Sequence, residues 1–105
     1  MIGVDIVSLE RLKLSYLSVA SRILSLRELE ELALRTSEKE KIEYVGGRFA
    51  SKEAYIKASG NKSASYKDIE ILNDESGRPH IYYQEEEIGE VSIAHDGYAV
   101  SFVEI

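Results

Sequence analysis

The chain contains no cysteine. That excludes a disulfide framework, a thiolate nucleophile and a structural zinc–thiolate site, and it suits a reducing cytoplasm, where we expect the protein. No apolar run approaches the ~20 residues needed to span a bilayer, so no membrane partner is expected. No basic segment precedes a hydrophobic stretch at the N-terminus, so no secretory signal is expected. Positive charge is also scarce. Against 19 Asp and Glu stand 13 Lys and Arg, a formal net charge of −6. A general nucleic-acid binder needs a basic surface and is set aside. A Walker loop, a GxGxxG before a helix and an HExxH motif are all missing. No serine–histidine–acid triad can be assigned.

What remains is a chain of 105 residues, 44% hydrophobic and 30% charged. That length and composition suit one globular domain, residues 1–105, with one core. Charge is unevenly spread. Arg11, Lys13, Arg22 and Arg27 fall in a stretch without acids, whereas Glu85, Glu86, Glu87 and Glu90 crowd the later chain. A basic segment in an acidic protein can mark the docking site of an acidic partner. The plainer alternative is a solvated helix face.

Ile2, Val4 and Ile6 alternate with Gly3, Asp5 and Val7, the pattern of an opening strand. Ser8 is placed to cap a helix running to about Ala20. Ser25 with Glu28, and Ser37 with Glu40, match capping boxes. The second box opens a long helix ending near Gly60. Gly46 and Gly47 interrupt it at a cost of about 1 kcal/mol each relative to Ala, and let another backbone approach closely. Beyond Gly60, a loop from Asn61 to Tyr66 leads to a strand from Asp68 to Leu72. A turn at 73–77 then leads to a returning strand from Pro79 to Gln84 and a polar connection to Gly89. The last two strands flank Asp96-Gly97, a two-residue hairpin signal that pairs His95 with Tyr98 and Ser92 with Ser101. That register collects Val91, Ile93, Val100 and Phe102 on one face. Helices followed by an antiparallel sheet, with one strand at the start, predict an α+β fold.

At 100° per residue, Ile42, Val45, Phe49 and Ile56 share one face of the long helix, with Glu53 beside it and Lys57 one turn on. An ionisable group at the edge of a buried stripe needs a partner. Asp5 interrupts an apolar strand on the side where Gly3 leaves room. Two such carboxylates from distant segments can share a hard divalent cation, because magnesium takes one or two carboxylates with waters and phosphates. A surface pair of Glu53 with Lys57 is the alternative, worth only ~0.3–0.5 kcal/mol. Arg48, Lys52 and Lys57 can hold phosphate oxygens or else be solvated. His95 beside the hairpin turn is either structural or a phosphate neighbour.

These motifs converge. Gly3-Val4-Asp5-Ile6-Val7, then Gly47-Arg48-Phe49-Ala50-Ser51-Lys52-Glu53-Ala54 with Lys57 and Gly60, then Asp68-Ile69-Glu70-Ile71 with Gly77-Arg78-Pro79, and finally Val91-Ser92-Ile93-Ala94-His95 stand in the order of one family. The chain resembles the small bacterial holo-acyl-carrier-protein synthases, which are 4′-phosphopantetheinyl transferases. The resemblance implies that family's fold, with an N-terminal strand and helices packed on a mainly antiparallel sheet. It implies transfer of phosphopantetheine from coenzyme A to a serine of apo acyl carrier protein, in fatty-acid synthesis, with adenosine 3′,5′-bisphosphate released. By the same resemblance, Asp5 and Glu53 bind Mg²⁺ and Lys57 contacts phosphate at the bond being broken. Arg48 and His95 hold the adenosine and its 3′-phosphate, with Gly77, Arg78 and Pro79 against the adenine and Gly60 nearby. Arg11, Lys13, Arg22 and Arg27 dock the carrier, and the protein is a homotrimer with shared sites. The alternative is a non-catalytic module of this fold that binds coenzyme A or a carrier protein. It is motivated by Asn61-Lys62-Ser63 after Gly60 and by Ala94, where the family often has glycine and serine.

Overall fold

The longest element follows from its ends. Ser37 and Glu40 form a complete capping box, and Gly60 closes the helix in the left-handed conformation (φ 71°). Between them runs a 22-residue helix, Glu38–Ser59. The computed structural model describes all residues, 1–105. We name its elements β1 (Ile2–Ser8), α1 (Leu9–Leu12), α2 (Tyr16–Ile23), α3 (Leu26–Ala33), α4 (Glu38–Ser59), β2 (Ile69–Asn73), β3 (Pro79–Tyr83), β4 (Glu86–Glu87), β5 (Glu90–His95) and β6 (Tyr98–Glu104), with a 3₁₀ turn at Tyr66–Asp68 before β2. The fold is α+β with all strand pairs antiparallel.

Helix α4 is the axis of the molecule. One apolar stripe does not describe it, because burial extends around its middle and takes in Tyr44, Arg48, Ala50, Ser51, Lys52, Ala54 and Tyr55. Two core clusters result. One joins α1, α2, α3 and the first half of α4 through Leu12, Ile23, Leu24, Leu32 and Val45. The other joins the second half of α4 to the sheets through Ala54, Ile69, Ile71, Ile81 and Val103. The closest approach to α4 is made by β1. A Cβ on Gly3 would fall 2.0 Å from the Ala54 carbonyl oxygen, so only glycine lets this strand lie on the helix. Gly46 and Gly47 serve differently from expectation. They make room for the side chains of Leu9 and Ile93 rather than for another backbone.

Four sequence expectations are corrected. The helix after Ser8 is two helices, broken at Lys13–Ser15, and Ser15, a residue type that favours helix starts over interiors, begins the second. The strand from Pro79 ends at Tyr83. Gln84 (φ 51°) and Glu85 (φ 70°) form a tight turn into β4 instead of a loose connection. The strands form two three-stranded sheets, β1-β6-β5 and β2-β3-β4, rather than one. The final hairpin is shifted by one residue, pairing His95 with Ala99, Ile93 with Ser101 and Val91 with Val103 around a three-residue loop. Gly97 takes positive φ (73°) there, which suits a three-residue loop. A one-residue slip changes the faces. Ala99, Ser101 and Val103 are buried in the interior, and the Ser101 hydroxyl meets that of Ser51 on α4 at 2.7 Å. Phe102 lies on the outer face with Ile2, Val4 and Ile6, all of them exposed.

Candidate active site

Some of the predicted residues line two clefts, and the others lie outside them. The first lies between β1, α1 and α4. Asp5 and Glu53 line it, together with Ser8, Arg11 and Phe49. Asp5 reaches it because β1 pairs with β6 and lies on α4, with Gly3 as the contact that holds strand and helix together. Lys57 Nζ donates to Asp5 Oδ1 and to the Val4 carbonyl oxygen, each at 3.0 Å. The Tyr66 hydroxyl donates to Glu53 Oε1. This bond is the largest cause of a Tyr66 pKa pushed up to about 12. Each carboxylate therefore has one oxygen held by protein and a second oxygen free for a ligand. No third His, Cys, Asp or Glu joins them in a metal-binding group. Two oxygen donors suit a cation that keeps waters and takes phosphate oxygens, the habit of Mg²⁺, and not a cation that needs an all-protein cage.

The second cleft, of about 360 Å³, lies beyond the first half of α4. Arg48, Gly77, Pro79 and His95 line it, with Arg35, Tyr44 and Asn73. Arg48 is buried. Its Nε donates to the Ile71 carbonyl oxygen at 3.1 Å, and its Nη2 donates to Glu31 Oε1 at 3.2 Å and Asn73 Oδ1 at 2.9 Å. Its guanidinium also lies 4.0 Å from the centre of the Tyr44 ring. Burial pushes the Tyr44 hydroxyl well above its ordinary range, and that group donates to Glu31 Oε1 at 2.8 Å. His95 Nδ1 is 3.3 Å from Glu43 Oε2. Gly77 has φ 88° in the turn between β2 and β3, a conformation that favours glycine. Arg78 points away to an exposed contact of 3.9 Å with Glu90. Gly60 caps α4 and lines neither cleft.

Among the bases of the early segment, Arg11 borders the Asp5–Glu53 cleft, and Arg22 lies close enough to act on Tyr66. Lys13 is exposed on the far side of α1, beside Leu9 and Ile42. Arg27 already has a partner, since it grips Glu70 through Nε (3.2 Å) and Nη2 (2.5 Å). Lys52 departs furthest from expectation. It is fully buried and bonds to Glu28 Oε1 (2.6 Å) and to the carbonyl oxygens of Ile23, Tyr66 and Ile69. It is a structural ion pair and holds no phosphate. Tyr66, Tyr44, Glu31 and Arg35 were not singled out from the sequence. Their signal is purely tertiary, because the segments that carry them meet only on folding.

The two carboxylates that share a cleft belong to segments far apart in the chain. Residues 1–103 match the 4′-phosphopantetheinyl transferase superfamily. The chain belongs to that superfamily. It is 42% identical over 97% of its length to holo-[acyl-carrier-protein] synthase from Staphylococcus aureus, of which the match covers 91%. It is 39% identical over 97% of its length to the enzyme of that name from Staphylococcus saprophyticus, covering 93%. Its fold superposes with TM-score 0.84 on the holo-(acyl-carrier-protein) synthase from Bacillus anthracis in complex with CoA (3′,5′-ADP). Identity there is 39%, over 97% of this chain and 91% of that one. The Helicobacter pylori synthase in complex with coenzyme A matches at TM-score 0.79 and 32% identity, over 98% of this chain and 97% of that one. The α+β fold read from the sequence is thus the fold of this superfamily, and no helix is long and apolar enough to cross a membrane.

Proposed function

We propose that this chain, as a single cytoplasmic domain, transfers the 4′-phosphopantetheine group of coenzyme A to a serine hydroxyl of an apo acyl carrier protein and releases adenosine 3′,5′-bisphosphate. The observation that carries this reading is the meeting of Asp5 and Glu53 in one cleft, with Lys57 on Asp5. Asp5 and Glu53 would hold Mg²⁺ through their free oxygens, and the ion would neutralise charge on the coenzyme A pyrophosphate. Lys57 is more than half exposed and free to turn its ammonium toward the pyrophosphate, whose anhydride bond breaks as the serine oxygen bonds to the phosphorus that carries pantetheine and the adenosine bisphosphate leaves. Negative charge accumulates there, so a cation aimed at that point favours the transition state over the ground state. Phe49 forms an apolar wall of the same cleft. Arg11 at its rim, with Arg22 near Tyr66, would receive the acidic carrier, while Lys13 on the far side of α1 and the already paired Arg27 lie outside this cleft. In the second cleft Arg48 and His95 would take the nucleotide's 3′-phosphate, and Gly77 and Pro79, with Arg78 at the edge, its base.

The two clefts have no lining residue in common. An exposed apolar sheet face that includes Ile2, Val4, Ile6, Tyr98 and Phe102 is available for self-association. Both observations support self-association, and they fit the homotrimer that the family resemblance implies, in which the metal cleft of one copy would face the nucleotide cleft of the next. The test is mass spectrometry of an apo acyl carrier protein incubated with this protein, Mg²⁺ and coenzyme A. A gain of one phosphopantetheine is expected, and its absence across several carriers overturns the reading. Glu53→Gln is expected to abolish transfer with the fold intact. Mixing Glu53→Gln with an impaired His95→Ala protein should restore part of the activity if sites are shared. No recovery in mixed oligomers would place each site within one copy.

A further inference from the structure

Arg35 is the one guanidinium lining the nucleotide cleft that has no carboxylate partner. Its only hydrogen bond runs from Nη1 to the Glu31 carbonyl oxygen at 3.4 Å, and its charge rests 4.7 Å from the centre of the Tyr44 ring. Arg48, on the same ring, spends Nε and Nη2 on Ile71, Glu31 and Asn73. The cleft also holds two acids. Glu40 Oε1 is turned onto Thr36 and Ser37, whose hydrogen bonds lower its pKa, and Glu43 faces His95. Without Arg35, two carboxylates would face the single, largely committed guanidinium of Arg48. A dianionic ligand would find little there. With Arg35, an uncommitted fork held against an aromatic face is ready to accept phosphate oxygens.

We propose that Arg35 determines the specificity of this cleft for a phosphate monoester on the nucleotide's ribose, so that the protein distinguishes coenzyme A from 3′-dephospho-coenzyme A chiefly through this side chain. The inference rests on the function proposed above and assigns a role to a residue outside the cleft's buried framework. Arg35 is partly exposed next to the loop after α3, so its replacement spares the core.

The experiment compares the wild-type protein with Arg35→Gln and Arg35→Lys, using coenzyme A and 3′-dephospho-coenzyme A as donors. Loss of a charged hydrogen-bond partner should raise KM for coenzyme A on the order of 10- to 100-fold in Arg35→Gln. Its kcat, and its KM for the dephospho donor, should stay at wild-type values. Arg35→Lys should recover part of the loss. Calorimetry adds a readout free of turnover. Adenosine 3′,5′-bisphosphate should bind the wild type more tightly than adenosine 5′-monophosphate does, and Arg35→Gln should remove most of the difference, leaving the share that Arg48 and His95 supply. Equal losses with both donors, or a wild type that does not discriminate between the two nucleotides, overturn the inference. A wild type that binds the bisphosphate through Arg35 but transfers nothing overturns the proposed function and leaves the inference standing.

Discussion

Two lysines stand five positions apart on α4 and have opposite fates. Lys52 is fully buried, and three of its four acceptors are backbone carbonyl oxygens of Ile23, Tyr66 and Ile69. Lys57 is 56% exposed and reaches one carboxylate and one carbonyl oxygen. Both make an ion pair with an acid from a distant segment, but the surroundings set what the pair is for. Lys52 is shut off from solvent, so its charge is tolerated only because Glu28 and the carbonyl groups stand in for hydration. Desolvation pushes the Lys52 pKa down, and the Glu28 charge opposes that shift. Glu28 is equally committed, with Oε1 also accepting from the Ser25 N–H and Oε2 from the Ile71 N–H. Such a cluster ties α2, α3 and β2 to α4 and has no capacity left for a ligand. The Lys57–Asp5 pair is half open, so a phosphate can take the ammonium away from it.

The comparison breaks most severely at Lys52. Lys52→Met leaves Glu28 charged in a dry interior and should cost about 3–5 kcal/mol of stability. Urea unfolding would show this as a large fall in the midpoint. A loss below about 1 kcal/mol would mean that water reaches the cluster, and the contrast with Lys57 would vanish.

The converse prediction concerns Lys57. Lys57→Met should leave unfolding within about 1 kcal/mol of wild type, because an exposed pair contributes little. Transfer should nevertheless fall by about 10²- to 10³-fold in kcat, the usual cost of removing one group that stabilises developing charge. Steady-state kinetics with coenzyme A and carrier, next to the urea curve, separates the two effects. A stability loss as large as that of Lys52→Met would make Lys57 structural as well.

Much of the fold was legible in the sequence, and this contrast was not. Capping boxes at Ser25 and Ser37, the opening strand and the turn at 73–77 are local signals, and they folded as read. The separation of Lys52 from Lys57 is not local. Helical spacing puts Lys52 beside other bases, and only the arrival of Glu28 from α3 and the carbonyl of Ile69 from β2 makes its environment dry. The last hairpin failed for a similar reason. Asp96-Gly97 permits either a two- or a three-residue loop, and packing of Ala99 and Ser101 on α4 selects the second. Asp5 with Glu53 was found because the residues match a family pattern. Their common cleft depends on Gly3, whose missing side chain lets β1 reach the helix.

The smallest expected effect tests a third kind of ion pair, at the surface beside the nucleotide cleft. His80 Nδ1 lies 2.8 Å from Glu87 Oε2, and its Nε2 lies 2.9 Å from Asp74 Oδ2. Both ring nitrogens face carboxylates, so both must donate, and only the imidazolium can do that. Hydrogen bonds to Asp74, then to Glu87, accordingly raise the His80 pKa, while bonds from Ser76 and His80 hold the Asp74 carboxyl well below its usual range. Asp74 Oδ1 also accepts from the N–H groups of Ser76 and Arg78, so the clamp braces the turn that carries Gly77 and Pro79. A histidine with raised folded pKa contributes its stabilisation fully below the unfolded value, ~6.5, and loses it as pH rises through the folded value. An NMR titration should therefore place the His80 midpoint above that of a free histidine, and Asp74→Asn should bring it back down. Crossing that midpoint upward should raise KM for coenzyme A modestly as the turn loosens. A midpoint at or below the free value would show that solvent screens this pair completely, and that only burial of the kind found at Lys52 fixes a charge in this protein.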